Sequence, residues 1–200
     1  MLAWHFLPAD RCLRWGTKEE VFPGKKITVL PPLKMCEHGL HASEDALHAL
    51  DYAPGPIVCR VIMSGEILFD TDKCCAAERT CLWMGDATRI LHEFACSCAE
   101  EAMLNERLAG REPPMKFVAA IKAKRDWLAG KISPNELKAV WVAAGAAALT
   151  AALAPAWEAA RAASGWPATI RTIQNEKLTE MLLTLAPDGR VHPLTGEYTL

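Results

Sequence analysis

Side chains that could do chemistry are concentrated between residues 36 and 66 of this sequence. The stretch CEHGLHASEDALHALDYAPGPIVCRVIMSGE holds three of the six histidines, and Cys36 lies two residues before His38. Imidazole exchanges protons near neutral pH, and cysteine and histidine are the usual ligands of zinc. The stretch is therefore a candidate for acid–base chemistry or for metal binding.

Zinc binding is the less favoured of these two interpretations. Two groups of side chains could supply ligands, namely Cys36, His38 and His41, and Cys74, Cys75 and Cys81. Neither group has the paired C-x2-C spacing that is typical of a structural zinc site. The sequence therefore predicts no metal centre.

The cysteines are expected to be reduced thiols. All eight lie in the first half of the chain, and the N-terminus MLAWHFLPADRC lacks the basic and apolar segments of a secretion signal. We therefore expect a cytoplasmic protein. Cys59, Cys96 and Cys98 lie in apolar runs, where a free cysteine most often packs as a small hydrophobe.

Composition bounds the possible partners. The chain has 200 residues, of which 51% are hydrophobic, and this is enough for a buried core in one domain or in two small ones. Acidic and basic residues are interspersed and the net charge is −2, so the sequence predicts no nucleic-acid-binding surface.

Elements of the first half alternate between short apolar runs and turns. The predicted order is a strand LAWHFL, extended pieces CLRW and KKITVL, a turn at Gly39, a helix SEDALHALDYA with Ser43 as N-cap, and a strand IVCRVIMSGEILF that is interrupted at Ser64-Gly65. The segment from Asp70 to Met84 fits a loop, a short strand or both. This pattern indicates a small α+β domain.

The second half has a helical period. Helices are predicted over residues 86–110, over residues 115–128, from Ser133, and from about residue 167. Ser133 and Glu136 form a capping box, which is the clearest helix start in the chain. The third helix enters nineteen residues without a charge, and because just over half of them are alanine, a buried bundle helix is favoured over a membrane span.

These elements predict an α+β protein with two domains. Residues 1–84 would form a small mixed or antiparallel sheet with one short helix, and residues 85–200 an Ala-rich helical bundle.

Three short motifs carry a family resemblance. G-L-H-A-S, then A-L-H-A-L-D-Y-A, then V-C-R-V-I-M-S-G-E resemble the NAD-binding signature of ADP-ribosyltransferases of the poly(ADP-ribose) polymerase type. The same stretch is similar to an uncharacterised domain of bacteriophage and prophage proteins with a G-[FL]-H-A core. The Ala-rich half is similar to a helical domain of bacterial immunity proteins.

The transferase resemblance implies particular residue roles. NAD would be the cofactor, His5 would hold its nicotinamide ribose, and His41 would stack on the nicotinamide ring with Tyr52 nearby. The residues that it implies for NAD binding are His5, Gly39, Leu40, His41, Ser43 and Tyr52. The transferase glutamate has no matching motif, and Glu197 and Glu93 are the candidates that remain.

Structural interpretations compete with each of these roles. His5 next to Trp4 would more often be a core or edge histidine with one hydrogen bond. Tyr52 and Trp83 would more often be packing residues, and Arg60 would point to solvent or to a carboxylate in a cleft. Whether His5 and His41 face each other across a nucleotide-sized cleft decides between the two interpretations.

Two functions follow from the resemblance. The first is a phage or mobile-element protein of the anti-CRISPR kind, whose degenerate transferase-like fold binds and inhibits a host or defence protein. The alternative is an active NAD-dependent ADP-ribosyltransferase that modifies a host protein or nucleic acid. The first is preferred because the catalytic acid has no counterpart in the motifs.

Overall fold

The computed structural model of the chain describes residues 1–14, 18–144 and 168–187. Within these ranges the protein has an antiparallel five-stranded sheet and five helices, which confirms the predicted α+β class. The strands are β1 Leu2–Leu7, β2 Lys26–Thr28, β3 Leu40–Ala42, β4 Ile57–Phe69 and β5 Cys74–Asp86. The helices are α1 Ala46–Asp51, α2 Thr88–Leu108, α3 Met115–Leu128, α4 Pro134–Ala143 and α5 Ala168–Leu183.

The described residues divide into two units. The first combines residues 1–88 with residues 168–187, and the second spans residues 89–144. Helix α5 thus belongs to the unit that contains the sheet, whereas the sequence places it in the helical half. The difference arises because a helical period shows that one face is buried and does not show which surface covers it.

The hairpin of β4 and β5 forms the centre of the sheet. Each strand has 13 residues, and the strand order is β1-β4-β5-β2, with β3 also paired to β5. The pairing register shifts between Ser64 and Ile67, where Gly65 has a φ of +74°. The predicted strand with an interruption at Ser64-Gly65 is therefore confirmed. The ambiguous segment that follows it is mostly strand.

The sheet curls until its outer strands meet. Strand β3 pairs with one edge of β5, and the chain then reaches β1 at Ser43. The N–H of Trp4 donates to the carbonyl of Ser43 at 2.7 Å, and the N–H of Ser43 donates back to Trp4 at 3.0 Å. Ser43 is therefore bound into the sheet, and the prediction that it caps α1 is wrong.

Inward-facing side chains fill the curled sheet. Because strand residues alternate between faces, Ala3 and Leu7 of β1 point the same way and share one apolar cluster with residues of β3, β4 and β5. That cluster includes Leu40, Ala42, Cys59, Val61, Met63, Cys74, Ala76 and Cys81.

The outward face of the sheet carries a row of three large side chains. Trp4, Arg60 and Trp83 lie opposite one another on β1, β4 and β5. The two indoles meet edge to face with ring centroids 5.8 Å apart, and the Arg60 guanidinium lies 4.5 Å from the Trp4 ring centre. Arg60 therefore stacks on an aromatic ring, which differs from the predicted contact with solvent or with a carboxylate. Trp83 is a packing residue, as predicted.

Helices α1 and α5 pack together in the first unit. Helix α1 has only six residues, and its first turn receives no side-chain cap from Asp45. Asn175 of α5 supplies this cap, because its Oδ1 accepts from the N–H of Leu47 at 3.0 Å and its Nδ2 donates to Asp45 at 2.9 Å. Arg171 adds an ion pair with Asp51 at 2.9 Å. These polar contacts join α5 to the sheet-containing unit.

The second unit follows its helix signals closely. Helices α2 and α3 end before Gly110 and Gly130, which have positive φ, and α4 starts with the predicted capping box of Ser133 and Glu136. Arg125 of α3 makes two hydrogen bonds to Glu100 of α2, at 2.8 and 2.7 Å. The predicted bounds of α3 are confirmed.

No helix among the described residues is long and apolar enough to cross a membrane. The end of the uncharged stretch after residue 144 lies outside the described residues, so the prediction of a buried bundle helix there stays a prediction.

Candidate functional site

His5 lies inside the curled sheet. It is opposite Cys59 in the register of β1 and β4, and it alternates with Trp4 and Phe6, which point to the other face. Part of its surface remains exposed, but protein encloses the imidazole deeply enough to disfavour its charged form. His5 is thus an interior histidine, which matches the competing structural interpretation of this residue.

Arg79 shares this interior and was missed by the sequence analysis. It lies opposite Met63, is 4% exposed, and donates from Nη1 to the backbone carbonyl of His41 at 2.7 Å. In the described part of the chain no carboxylate is paired with it. Burial lowers the pKa of Arg79 to about 10, so the guanidinium stays charged at neutral pH.

The backbone of His41 joins two basic side chains of this interior, His5 and Arg79. The His5 ring lies next to this backbone, which favours the protonated ring, while Arg79 donates to the carbonyl oxygen of His41. Burial lowers the pKa of His5 well below its ordinary value of 6.5, and the positive charge of Arg79 lowers it further. His5 is therefore neutral near pH 7. We call these three residues, His5, His41 and Arg79, the interior polar cluster.

The His41 side chain faces away from this interior, toward the loop before β3. Its Nε2 accepts a hydrogen bond from the backbone N–H of Cys36 at 3.0 Å, so this nitrogen carries no proton. Burial is the largest cause of the lowered pKa of His41, and Arg79 and Lys73 add to it. The ring therefore holds the loop in place as a neutral acceptor.

Gly39 and Leu40 shape the same corner. The prediction of a turn at Gly-Leu-His holds for Gly39, whose φ of +135° suits only glycine, whereas Leu40 and His41 already belong to β3. A β-carbon on Gly39 would lie 2.1 Å from the Sγ of Cys75. Glycine is therefore required here for both backbone conformation and space.

Tyr52 lies on the surface, apart from the interior polar cluster. It is 50% exposed, donates from its hydroxyl to Asp72 and accepts from Lys73 at 3.1 Å. The Lys73 ammonium also lies 4.5 Å from the centre of its ring. The hydrogen bond to Asp72 raises the pKa of Tyr52, so the phenol stays protonated.

A small cavity of about 120 Å³ opens next to these surface residues. Its lining is rich in carboxylates and comprises Glu44, Asp45, His48, Phe69, Asp70, Thr71, Asp72, Lys73 and Cys74. The volume is below the roughly 300–1,000 Å³ that is typical of small-molecule sites. This cavity is too small to hold a whole dinucleotide.

Neither candidate catalytic acid lies among the described residues of the first unit. Glu93 pairs with Arg89 along α2 at 2.9 Å and belongs to the second unit, and Glu197 lies outside the described residues. Glu78 of β5 neighbours Arg79 but points to the other face, where it accepts from Ser64 at 2.8 Å.

Metal-binding groups are likewise not assembled in the part of the chain that the structure describes. Among the described residues, no three cysteine, histidine or acidic side chains lie close enough together to hold a metal ion. His38 hydrogen-bonds the carbonyl of Leu30 at 2.7 Å, and His41 is occupied by the N–H of Cys36.

Comparison with known proteins adds one similarity. Residues 18–93 match a protein family described as a domain of unknown function (DUF7666). This similarity covers β2 to β5, α1 and the start of α2, and therefore His41 and Arg79 but not His5. No curated protein and no solved structure matches the chain.

Acid should destabilise the first unit through His5 and His41. Both have a folded-state pKa below 6.5, so the unfolded chain binds more protons as the pH falls through 6.5. We expect the free energy of unfolding to decrease between about pH 6.5 and 5, as measured by urea denaturation at a series of pH values. This decrease should be smaller in the double variant His5→Gln/His41→Gln and should persist in the control His48→Gln. An unchanged slope in the double variant would contradict the assignment.

Replacing Gly39 with alanine should be costly. The variant combines a disfavoured positive φ with a clash against Cys75, for which we expect a loss of roughly 2–4 kcal/mol in the free energy of unfolding. Gly24→Ala is the matched control, because Gly24 has a φ of +86° with no atom near the added carbon, and it should lose only about 1 kcal/mol. Equal losses in urea denaturation would show that the contact with Cys75 does not matter.

Proposed function

We propose that this chain is a protein-binding module of a phage or other mobile element, which holds and inhibits a host protein without modifying it. The observation that carries the proposal is the use of His5 and His41 within the fold. The His5 ring contacts the backbone of His41, and the His41 ring holds the N–H of Cys36. A dinucleotide would need the space that these internal contacts of His5 and His41 occupy.

The surroundings of the interior polar cluster also favour binding over catalysis. Transfer of ADP-ribose needs a carboxylate that stabilises developing positive charge in the transition state. Arg79, a buried cation, occupies this interior instead, and it would destabilise such a transition state. The buried charge of Arg79 therefore supports the proposal that the chain has transferase-like motifs but does not transfer ADP-ribose.

The resemblances support the choice of partner. The G-L-H-A core at Gly39 is similar to a domain of phage and prophage proteins, which supports a mobile-element protein. The Ala-rich half is similar to a helical domain of bacterial immunity proteins, which supports a binding role over a catalytic one. A defence protein of the host, such as a CRISPR component, is the proposed target.

The tip of the β4–β5 hairpin is the proposed binding surface. We call it the hairpin-tip surface, and it comprises Tyr52, Phe69, Asp70, Asp72 and Lys73. Phe69 is 67% exposed and Tyr52 is 50% exposed, and exposed aromatic side chains are frequent anchors of protein interfaces. The carboxylates around them match a partner with a basic surface.

An active ADP-ribosyltransferase is the second candidate. The observation in its favour is that the fold brings together His5 and His41, the two residues that the resemblance assigns to NAD. A local opening of β3 would be needed to admit the nicotinamide between them.

Incubation with labelled NAD separates the two functions. We expect no transfer of label to proteins or nucleic acids of a bacterial lysate, and no heat of NAD binding by calorimetry on the purified chain. Label transfer that disappears in His5→Ala and His41→Ala, and persists in His48→Ala, would overturn the binding proposal in favour of the transferase.

The hairpin-tip surface should control the affinity for the partner. In a tagged chain that co-purifies one host protein, the double variant Tyr52→Ser/Phe69→Ser should weaken binding at least about tenfold, because it removes two aromatic anchors. Biolayer interferometry with the identified protein measures the change. Leu104→Ser is the control, since Leu104 is 53% exposed but belongs to the second unit. Equal affinity of the double variant and the wild type would place the interface elsewhere.

A further inference from the structure

We propose that Cys59 and Cys81 are a redox modification site, at which a hydroperoxide converts two interior thiols into a disulfide between β4 and β5. The inference is independent of the proposed function, because it concerns the interior of the sheet and not the hairpin-tip surface.

A β-bulge brings the two thiols together. Arg60 is opposite Trp83 and Val61 is opposite Cys81, so Leu82 is an extra residue on β5. Cys59 is two residues before Val61 and therefore points to the same face as Cys81. Cys59 and Cys81 are therefore diagonal neighbours across the β4–β5 pair, and both belong to the same buried cluster.

The surroundings distinguish the two sulfur atoms. Cys81 lies two residues after Arg79, and its thiol donates to the carbonyl of Trp83 at 3.5 Å. The hydrogen bond from Cys59 lowers the pKa of Cys81, and the charge of Arg79 lowers it further, whereas the pKa of Cys59 is raised. Cys81 is thus the better nucleophile, and Cys59 is the thiol that stands ready to resolve its oxidised form.

The reaction balances with a hydroperoxide as the oxidant. The Cys81 thiolate attacks one oxygen of hydrogen peroxide, the O–O bond breaks, and the released hydroxide takes a proton to become water. Cys59 then attacks the sulfur of the resulting sulfenic acid, the S–O bond breaks, and a second water leaves with the proton of the Cys59 thiol. Two thiols are oxidised and one peroxide is reduced.

The other interior thiols lack this arrangement. Cys74 also lies near Arg79, but its sulfur donates to the carbonyl of Ala42 at 3.4 Å. Cys75 donates to the carbonyl of His38 at 3.4 Å. Cys59 and Cys81 are both buried, so reagents reach them only during local opening of the sheet. A small peroxide can enter such an opening more easily than a bulky disulfide reagent. The pair should therefore oxidise selectively in the folded chain.

Mass spectrometry of the peroxide-treated full chain tests this inference. The reduced protein is exposed to hydrogen peroxide in native buffer, blocked with N-ethylmaleimide in denaturant, and cut with trypsin and a glutamate-specific protease. Cleavage at Glu37, Glu44, Arg60, Lys73 and Arg79 separates Cys36, Cys59, the Cys74–Cys75 pair and Cys81 into different peptides. We expect the Cys59 and Cys81 peptides as the main linked pair, with two of the eight thiols protected from the reagent and released again by dithiothreitol.

Variants and a denatured control make the test decisive. Cys81→Ala should abolish the link, and Cys74→Ala should keep it. Arg79→Met should slow oxidation at pH 7 and move its rate profile to higher pH, while Arg79→Lys should restore it, with tryptophan fluorescence confirming that each variant is folded. In urea the preference for Cys59 with Cys81 should vanish. The inference is overturned if native peroxide treatment consumes Cys12 and Cys36 while Cys59 and Cys81 both remain fully labelled.

Discussion

A buried guanidinium organises the interior of the first unit. Arg79 lies within the sheet without a carboxylate partner among the described residues, and it donates instead to the carbonyl of His41. An unpaired buried charge is costly, so the fold must supply oriented dipoles around it. The curl of the sheet meets this need, because only the return of the chain through β3 to β1 places the His41 carbonyl beside Arg79. The proximity of His5 to the His41 backbone follows from the same closure.

In this arrangement His5 and His41 make contacts within the protein that a transferase would use for its cofactor. In a transferase of the kind that the sequence resembles, His5 and His41 would both contact the cofactor, with open space between them. Here the backbone of His41 lies beside the neutral His5 ring and accepts from Arg79, and the His41 ring accepts from the N–H of Cys36. A residue whose hydrogen-bonding groups are already used by the protein contributes little to a ligand, because each ligand contact would first break an internal one. The proposed binding function is consistent with this internal use of His5 and His41.

Local signals predicted the elements better than the site. Ser133 with Glu136, and the glycines after α2 and α3, define helix ends through contacts within a few residues, and the bounds of α3 were predictable for this reason. Ser43 looked like a helix cap by the same rule, but a partner 39 residues away, Trp4, binds its backbone instead. Arg79 was missed because a charged residue in a strand is usually exposed. The burial of Arg79 depends on the pairing of β5 with β4, in which Arg79 is opposite Met63, and a local sequence pattern does not reveal this pairing. The available hint was the run of small residues around Arg79 in CCAAERTC.

The division between a closed interior and an accessible hairpin tip limits what each can do. The interior of the sheet holds His5, Arg79 and the thiols of Cys59 and Cys81. Because these thiols are buried, small reagents reach them more easily than large ligands do. The hairpin tip has the opposite properties, since Phe69 and Tyr52 are exposed there and the cavity beside them is too small for a dinucleotide. A protein partner needs no deep cavity, because flat surfaces with a few aromatic anchors give sufficient affinity. The proposed recognition at the surface and the proposed redox chemistry in the interior are therefore compatible in one small unit.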